Sequence, residues 1–350
     1  MLCNMAKPAT AVDPVTTFTP ESLSTSFQKY RTELITMPMF AMNQALQHMT
    51  VRTGIRFQEH HHEMRGNFEI GPYDKYKMGE GEIEIIQRTL QTYFGNCIEP
   101  IDVNSIYQSL WGSDINKGEG LKNTPWTKRV CAYIMAQLGE KLYNCMWTAK
   151  RNASGKKTED LFNGFGTIEN IEIKSGAMSQ EEGNLYKLPV ESITSENAED
   201  VINDFIWGAG QWKGADKKLR DRMHMKLFMS DKTKHLYEVC YQMNHGALPY
   251  NQQFTKLHID GKPNIEFVAL GNVPDDYLCL TDKNNINSLW NMKGEDEKFL
   301  VEKSLTSHYD LDFIAKLFYG EDYLSINKEM LCVCKKVTAA MEPEPANPNH

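Results

Sequence analysis

The sequence predicts an α+β chain, and three stretches carry that expectation. Over residues 124–150, Val130, Tyr133, Ile134, Leu138, Leu142, Cys145 and Met146 recur at spacings of three and four, one apolar stripe along a helix. Residues 50–63 read as a strand with Val51, Thr53, Ile55 and Phe57 on one face, and Ile83 and Ile85 resume the two-residue period of strands further on. Residues 195–281 mix both periods, as a second α/β lobe does.

Taken in order, residues 1–26 are rich in Thr, Ser, Ala and Pro with little periodicity, the composition of an arm. Residues 27–57 lead from that arm through Ile35, Met39, Met42 and Leu46, roughly in helical phase, into the first strand. Residues 58–81 then turn polar and glycine-rich, with His60-His61-His62-Glu63, Gly66-Asn67, Gly71-Pro72, Lys75, Lys77, Gly79 and Gly81. Two strands joined this way make a long hairpin without a core of its own, either lying on another chain or forming a lid. A β run through Thr89, Tyr93 and Ile98 returns from it.

Thr124 suits a cap and Pro125 the first turn of a helix expected over 125–150, a rod of ~37 Å at about 1.5 Å per residue. Asn152-Ala153-Ser154-Gly155 should end it, and residues 160–168 read as a Gly-rich entry into a strand. Gly164 and Gly166, set between aromatics, predict backbone packed closely on backbone. A polar loop over 175–182 precedes a helix capped by Ser195, carrying Ala198, Val201, Ile202, Phe205 and Ile206 and broken at Gly208-Ala209-Gly210. Met223, Met225, Leu227 and Met229 alternate as a strand. Ser230-Asp231 caps the next helix, with Leu236, Val239, Cys240 and Met243 facing inward. Residues 258–281 read as β structure, with further β-like runs at 299–305 and 324–333. Glu342-Pro343-Glu344-Pro345 belongs to a tail over 338–350.

A length of 350 residues, 41% hydrophobic and 24% charged, allows one large or two modest domains with a sizeable core. The net charge of −8 argues against a protein that grips nucleic acid by its phosphates. Eight cysteines, spread widely and without a CxxC pair, read as small buried hydrophobes rather than a zinc site. In Cys332-Val333-Cys334 both thiols should share one face of a strand. No secretory signal pattern or membrane-length apolar run is evident, so a soluble intracellular product is expected.

Each chemical motif meets a plainer reading. His60-His61-His62 between Glu59 and Glu63 is the strongest metal candidate, yet in a strand only His60 and His62 share a face, and HExxH spacing is absent. A metal-dependent hydrolase built on His60 and His62 is the alternative from the enzyme class. Gly208-Ala-Gly210-Gln-Trp-Lys213-Gly214 lacks the order of a phosphate loop. No GxSxG elbow occurs, and Asp310-Leu-Asp312 and Asp275-Asp276 read as solvated turns. No catalytic residue, metal or cofactor is assigned, and the chain reads as a non-enzyme whose arms and hairpin contact neighbours.

The order of these elements resembles the major capsid protein of tailed bacteriophages, the Hong Kong 97-type fold. The local match is best over residues 140–168, where the helix end, a polar turn at 150–157 and Leu161-Phe162-Asn163-Gly164-Phe165 are similar to the family's "G-D-G-x-G … L-x-G-L-L" passage. Arg151-Asn152-Ala153 replaces the usual glycine-rich turn. Residues 227–243 resemble the family's strand–loop–helix, and His258-Ile259-Asp260-Gly261-Lys262-Pro263 with 265–270 its "l.G.PVv.s..vp" passage. Val273-Pro274 to Thr281 and a turn at 283–286 follow in the expected places. As ordered pattern the resemblance covers about residues 27–337.

It implies an N-terminal arm, an extended hairpin loop at 58–81, and a peripheral domain over 82–174 with a spine helix. It further implies a mainly axial domain over 175–285 and return strands of the peripheral domain over 286–337. Its implied function is self-assembly as pentamers and hexamers into an icosahedral shell around double-stranded DNA, bound without sequence specificity. Portal and scaffolding or decoration proteins are the other implied partners, with no membrane. The virion, assembled in the host cytoplasm, is the implied location. The contact residues expected on the hairpin are Phe57, His60, His62, Arg65, Phe68, Tyr73, Lys75 and Lys77.

Overall fold

The computed structural model describes residues 42–68, 70–73, 82–102, 126–246, 257–291, 299–305, 310–338 and 341. The arm expected over 1–26, Lys75 and Lys77, and most of the tail at 338–350 lie outside the described residues. Its elements run α1 (Asn43–Leu46), β1 (Thr50–Thr53), β2 (Gln58–Asn67), β3 (Glu82–Gln91), β4 (Tyr93–Asp102), α2 (Trp126–Cys145), α3 (Phe165–Lys174) and β5 (Leu185–Lys187). Then follow α4 (Ala198–Trp207), α5 (Lys217–Asp221), β6 (Met225–Ser230), α6 (Asp231–His245), β7 (His258–Ile259), β8 (Lys262–Leu270) and β9 (Leu278–Asp282). The last are β10 (Ile286–Trp290), β11 (Phe299–Lys303), β12 (Asp310–Tyr323) and β13 (Leu331–Lys335).

The chain divides into two units. The smaller comprises Met1–Leu34, Cys97–Tyr133 and Asp296–Ala315; there β11 pairs antiparallel with the start of β12, Leu300 opposite Ile314. The larger comprises Ile35–Asn96, Ile134–Glu295 and Lys316–His350. Its six-stranded sheet runs β5-β13-β9-β6-β8-β7, with β6 central, parallel to β8 and antiparallel to β9. The alternation of these strands sorts two cores. Phe228, Val268, Cys279, Leu331 and Val333 face one, together with Met146, Trp147 and Phe165. Leu227, Met229, Phe267, Leu280, Cys332 and Cys334 face the other, with Val201, Phe205, Tyr237 and Cys240 of α4 and α6. A strand covered on both faces needs apolar side chains at nearly every position, which is why β6, β9 and β13 read as continuous apolar runs. Cys332 and Cys334 share one face as expected, and burial pushes both thiols above their usual range.

The connection from α2 to α3 fixes one edge of the first core. The helix stops at Cys145, short of the expected Lys150, after 20 residues or about 30 Å. A helix end leaves carbonyls without partners, and the next helix start leaves amides without partners. Here the turn that follows α2 supplies the partners for the start of α3: Phe165 N donates to Met146 O at 3.1 Å, Gly166 N to Trp147 O at 3.0 Å, and Gly164 N to Ala149 O at 2.9 Å. Only glycine permits this approach, since a Cβ on Gly164 would lie 2.5 Å from Met146 O and one on Gly166 2.8 Å from Trp147 O. The backbone-on-backbone expectation for these glycines holds. The Gly-rich strand entry does not, because Phe165, Ile168, Glu169 and Ile173 have helical spacing and form the buried face of α3. Glu169, fully buried, ties α3 to the sheet through Lys335 Nζ at 2.9 Å and the Tyr323 hydroxyl, which donates at 2.8 Å; the Tyr277 hydroxyl also donates to it.

Other expectations shift locally. The strand expected over 50–63 is broken after Thr53, where Gly54 (φ 92°) and Phe57 (φ 69°) turn the chain before β2. Asn197, not Ser195, occupies the N-cap position of α4. Ser230 caps α6 as expected, its side chain accepting from Thr233 N at 3.0 Å, but Tyr237 and Thr233 turn inward while Met243 is exposed. Met223 is exposed and precedes β6, which is buried on both faces rather than alternating. Asp310-Leu-Asp312 opens β12 instead of forming a solvated turn, and the run expected over 324–333 is the end of a turn followed by β13.

Candidate assembly interface

In the larger unit, β2 and β3 pair antiparallel over ten residues each, from Gln58 opposite Gln91 to Asn67 opposite Glu82. In such a ribbon directly opposed residues share a face. One face therefore carries His61, Glu63 and Arg65 with Ile86, Arg88 and Leu90; the other carries His60, His62 and Met64 with Ile83, Ile85, Gln87 and Thr89.

The first face is tied down. Arg88 donates to Glu172 Oε1 at 2.8 Å, to Asp322 Oδ1 at 2.8 Å and to Tyr323 O at 2.7 Å. Burial works against its charge, but the Asp322 and Glu172 carboxylates more than offset this and hold the guanidinium above its ordinary pKa. Ser325 Oγ donates to Glu63 Oε2 at 2.5 Å, and Arg65 reaches Glu63 at 3.3 Å. Burial opposes the Glu63 charge too, yet these hydrogen bonds keep its carboxyl below the usual range. Beside Asp322 lies Glu321, fully buried, which accepts from the Tyr319 hydroxyl; burial drives its carboxyl well above the usual range. Glu63, Arg88, Glu172, Glu321, Asp322 and Ser325 line a cleft of about 540 Å³ at the hairpin root.

Among the described residues, nothing ties down the second face in this way. Met64, Ile85 and Ile83 are 75%, 62% and 63% exposed, and Met64 stands directly opposite Ile85. Phe68, Ile70 and Tyr73 extend this apolar surface toward the tip. Contiguous exposed apolar side chains on a two-stranded ribbon mark a surface that another molecule covers.

The expected contact residues distribute unequally. Phe57 sits at the root, half exposed, its ring edge-on to Phe318 at 5.0 Å. His60 and His62 share the outer face, and His60 Nδ1 lies 3.0 Å from both Thr89 Oγ1 and Gln87 Nε2. Arg65 is on the inner face, while Phe68 and Tyr73 lie exposed beyond the paired strands. Lys75 and Lys77 lie outside the described residues. Met64, Ile83 and Ile85 were the residues that sequence reasoning passed over; their signal was an apolar alternation inside a segment with no core. Among the described residues no group of three or more His, Cys, Asp or Glu is placed to hold a metal ion, which leaves the hydrolase reading on His60 and His62 without support. Among the described residues no helix is long and apolar enough to cross a membrane.

No protein-family model matches the sequence, and no curated protein matches it. Solved structures do match in fold. The capsid of an empty GTA particle superposes with a TM-score of 0.54 at 12% identity, covering 85% of this chain and 90% of that one. The satellite phage P4 procapsid, which includes a size determination (Sid) protein, gives 0.51 at 11% identity over 94% and 93%. The capsid of the native GTA particle gives 0.50 at 12% identity over 85% and 91%. Identities this low report fold alone, and the fold they report is the one the sequence resembled: this chain is a mixed α/β protein with the fold of phage capsid proteins.

Proposed function

We propose that this chain is the major capsid protein of a tailed bacteriophage, a structural protein rather than an enzyme. In this reading it assembles as pentamers and hexamers into an icosahedral shell enclosing double-stranded DNA. The observation that carries the proposal is the superposition on capsid subunits over 85% or more of the chain. The outer face of the hairpin supports it: Met64, Ile83 and Ile85 belong to none of the packed cores of the described residues, and a neighbouring copy supplies their partner. Fully burying a side chain of this size contributes about 1.5–3 kcal/mol, so a few per contact give a weak bond that repetition around a shell makes sufficient.

The hairpin is then the extended loop lying over the adjacent subunit, and β5 to β9 with α4 and α6, all within 175–285, belong to the axial domain. An acidic chain suits a container that must not hold its genome tightly. Portal and scaffolding or decoration proteins complete the partners, and the virion is the location. Negative-stain electron microscopy of the purified full chain tests this. Rings of five or six, sheets or closed shells are expected; a chain that stays monomeric at high concentration, with and without a co-expressed scaffold, overturns it.

A further inference from the structure

The larger unit holds a second cleft, of about 1080 Å³, near the upper limit of about 1,000 Å³ typical of ligand sites. Its apolar lining includes Ile173, Met178, Leu185, Trp212 and Val337. Around this floor stand five basic side chains, Lys187, Lys213, Lys217, Arg220 and Lys328. Three acidic ones, Glu181, Glu182 and Asp216, also line it, but the Asp216 carboxylate is engaged in capping α5, accepting from Lys218 N at 2.8 Å. Arg220 lies with its guanidinium 5.0 Å from the Trp207 ring, and its Nε is buried without a hydrogen-bond partner among the described residues. In a chain of net charge −8, a cleft with a basic excess is fitted to an acidic occupant.

Where the chain goes next identifies that occupant. Val337, two residues past the end of β13 at Lys335, lines the cleft itself. Five residues beyond it begins Glu342-Pro343-Glu344-Pro345, so Glu342 is within ~17 Å of Val337 at about 3.4 Å per extended residue. Proline fixes φ near −65° and favours an extended left-handed helix, so ordering such a segment costs little entropy. Pro-rich segments dock on aromatic and apolar grooves for that reason.

We propose that residues 342–345 of the same chain dock in this cleft. The Glu342 and Glu344 carboxylates face Lys213, Lys217 and Lys328, and the prolines lie over the floor that includes Trp212 and Val337. The tail thereby covers the basic cleft from within the subunit, independently of whether the chain forms a shell.

Amide hydrogen exchange on the full chain tests this. Truncation after Thr338 should speed exchange at residues 179–183 and 211–217 by about tenfold, as should Glu342→Lys with Glu344→Lys. Adding Lys213→Glu and Lys328→Glu to that charge-reversed tail should restore protection, an outcome that general destabilisation does not produce. Unchanged exchange at both segments in the truncated chain overturns the proposal. Protection that falls on dilution also overturns it, because the occupant is then the tail of a second copy.

Discussion

The α2–α3 connection and the outer face of the hairpin present the same chemistry in opposite conditions. At the connection the backbone finds its partners inside the subunit: the Met146 and Trp147 carbonyls take the Phe165 and Gly166 amides, and Trp147, Phe162 and Phe165 are fully buried. On the outer face of β2 and β3 the backbone is equally well paired, yet Met64, Ile83 and Ile85 face solvent. Apolar side chains held in ordered backbone but left uncovered indicate a surface completed elsewhere. The inner face of the same hairpin, fastened through Arg88 and Glu63, explains how that surface is held in place without a core of its own.

Substitutions can break or sharpen this contrast. The largest effect is expected from Arg88→Ala, which strands the Glu172 and Asp322 carboxylates; losing one member of a buried charge cluster costs about 3–5 kcal/mol. Urea unfolding should register that loss, and exchange at β2 and β3 should rise as the root is released. Gly164→Ala should cost about 3 kcal/mol in the same assay, because its Cβ meets backbone rather than a movable side chain.

Glu321 gives a pH-dependent effect. Burial raises its carboxyl pKa in the folded state, so the folded chain holds this proton more tightly than the unfolded one. That contribution is complete below about pH 4.5 and is lost as pH rises through the folded pKa, by up to ~1.4 kcal/mol per pH unit. Glu321→Gln should remove this part of the slope between pH 5 and 7, whereas an unchanged profile would show that the group is not proton-bound when folded. The smallest effect on the subunit is expected from Met64→Asp with Ile85→Asp. Exposed positions of this kind change stability by within about 0.5 kcal/mol, so the variant should unfold like the parent while failing to assemble.

Local signals were the ones the sequence made legible. Gly164 and Gly166 announced close backbone approach, Ser230 announced a cap, and the Cys332–Cys334 spacing announced a shared face. The helical period of α3 was masked by Gly-aromatic pairs that also suit a strand, although Phe165, Ile168 and Ile173 carried it. The Arg88 clamp was illegible because its partners lie 84 and 234 residues away, a separation no local period encodes. Ile83 and Ile85 were visible as a strand, but period two does not say which face is covered. Only the inner-face clamp, joining distant parts of the chain, shows that theirs is the open one.

The central claim is that the outer hairpin face joins one copy of this chain to the next. Electron microscopy of the full chain beside its Met64→Asp/Ile85→Asp variant, at equal concentration and matched unfolding stability, tests it most directly. Rings or shells from the parent and dispersed subunits from the variant are the predicted result; assemblies of equal yield and shape from both would contradict it.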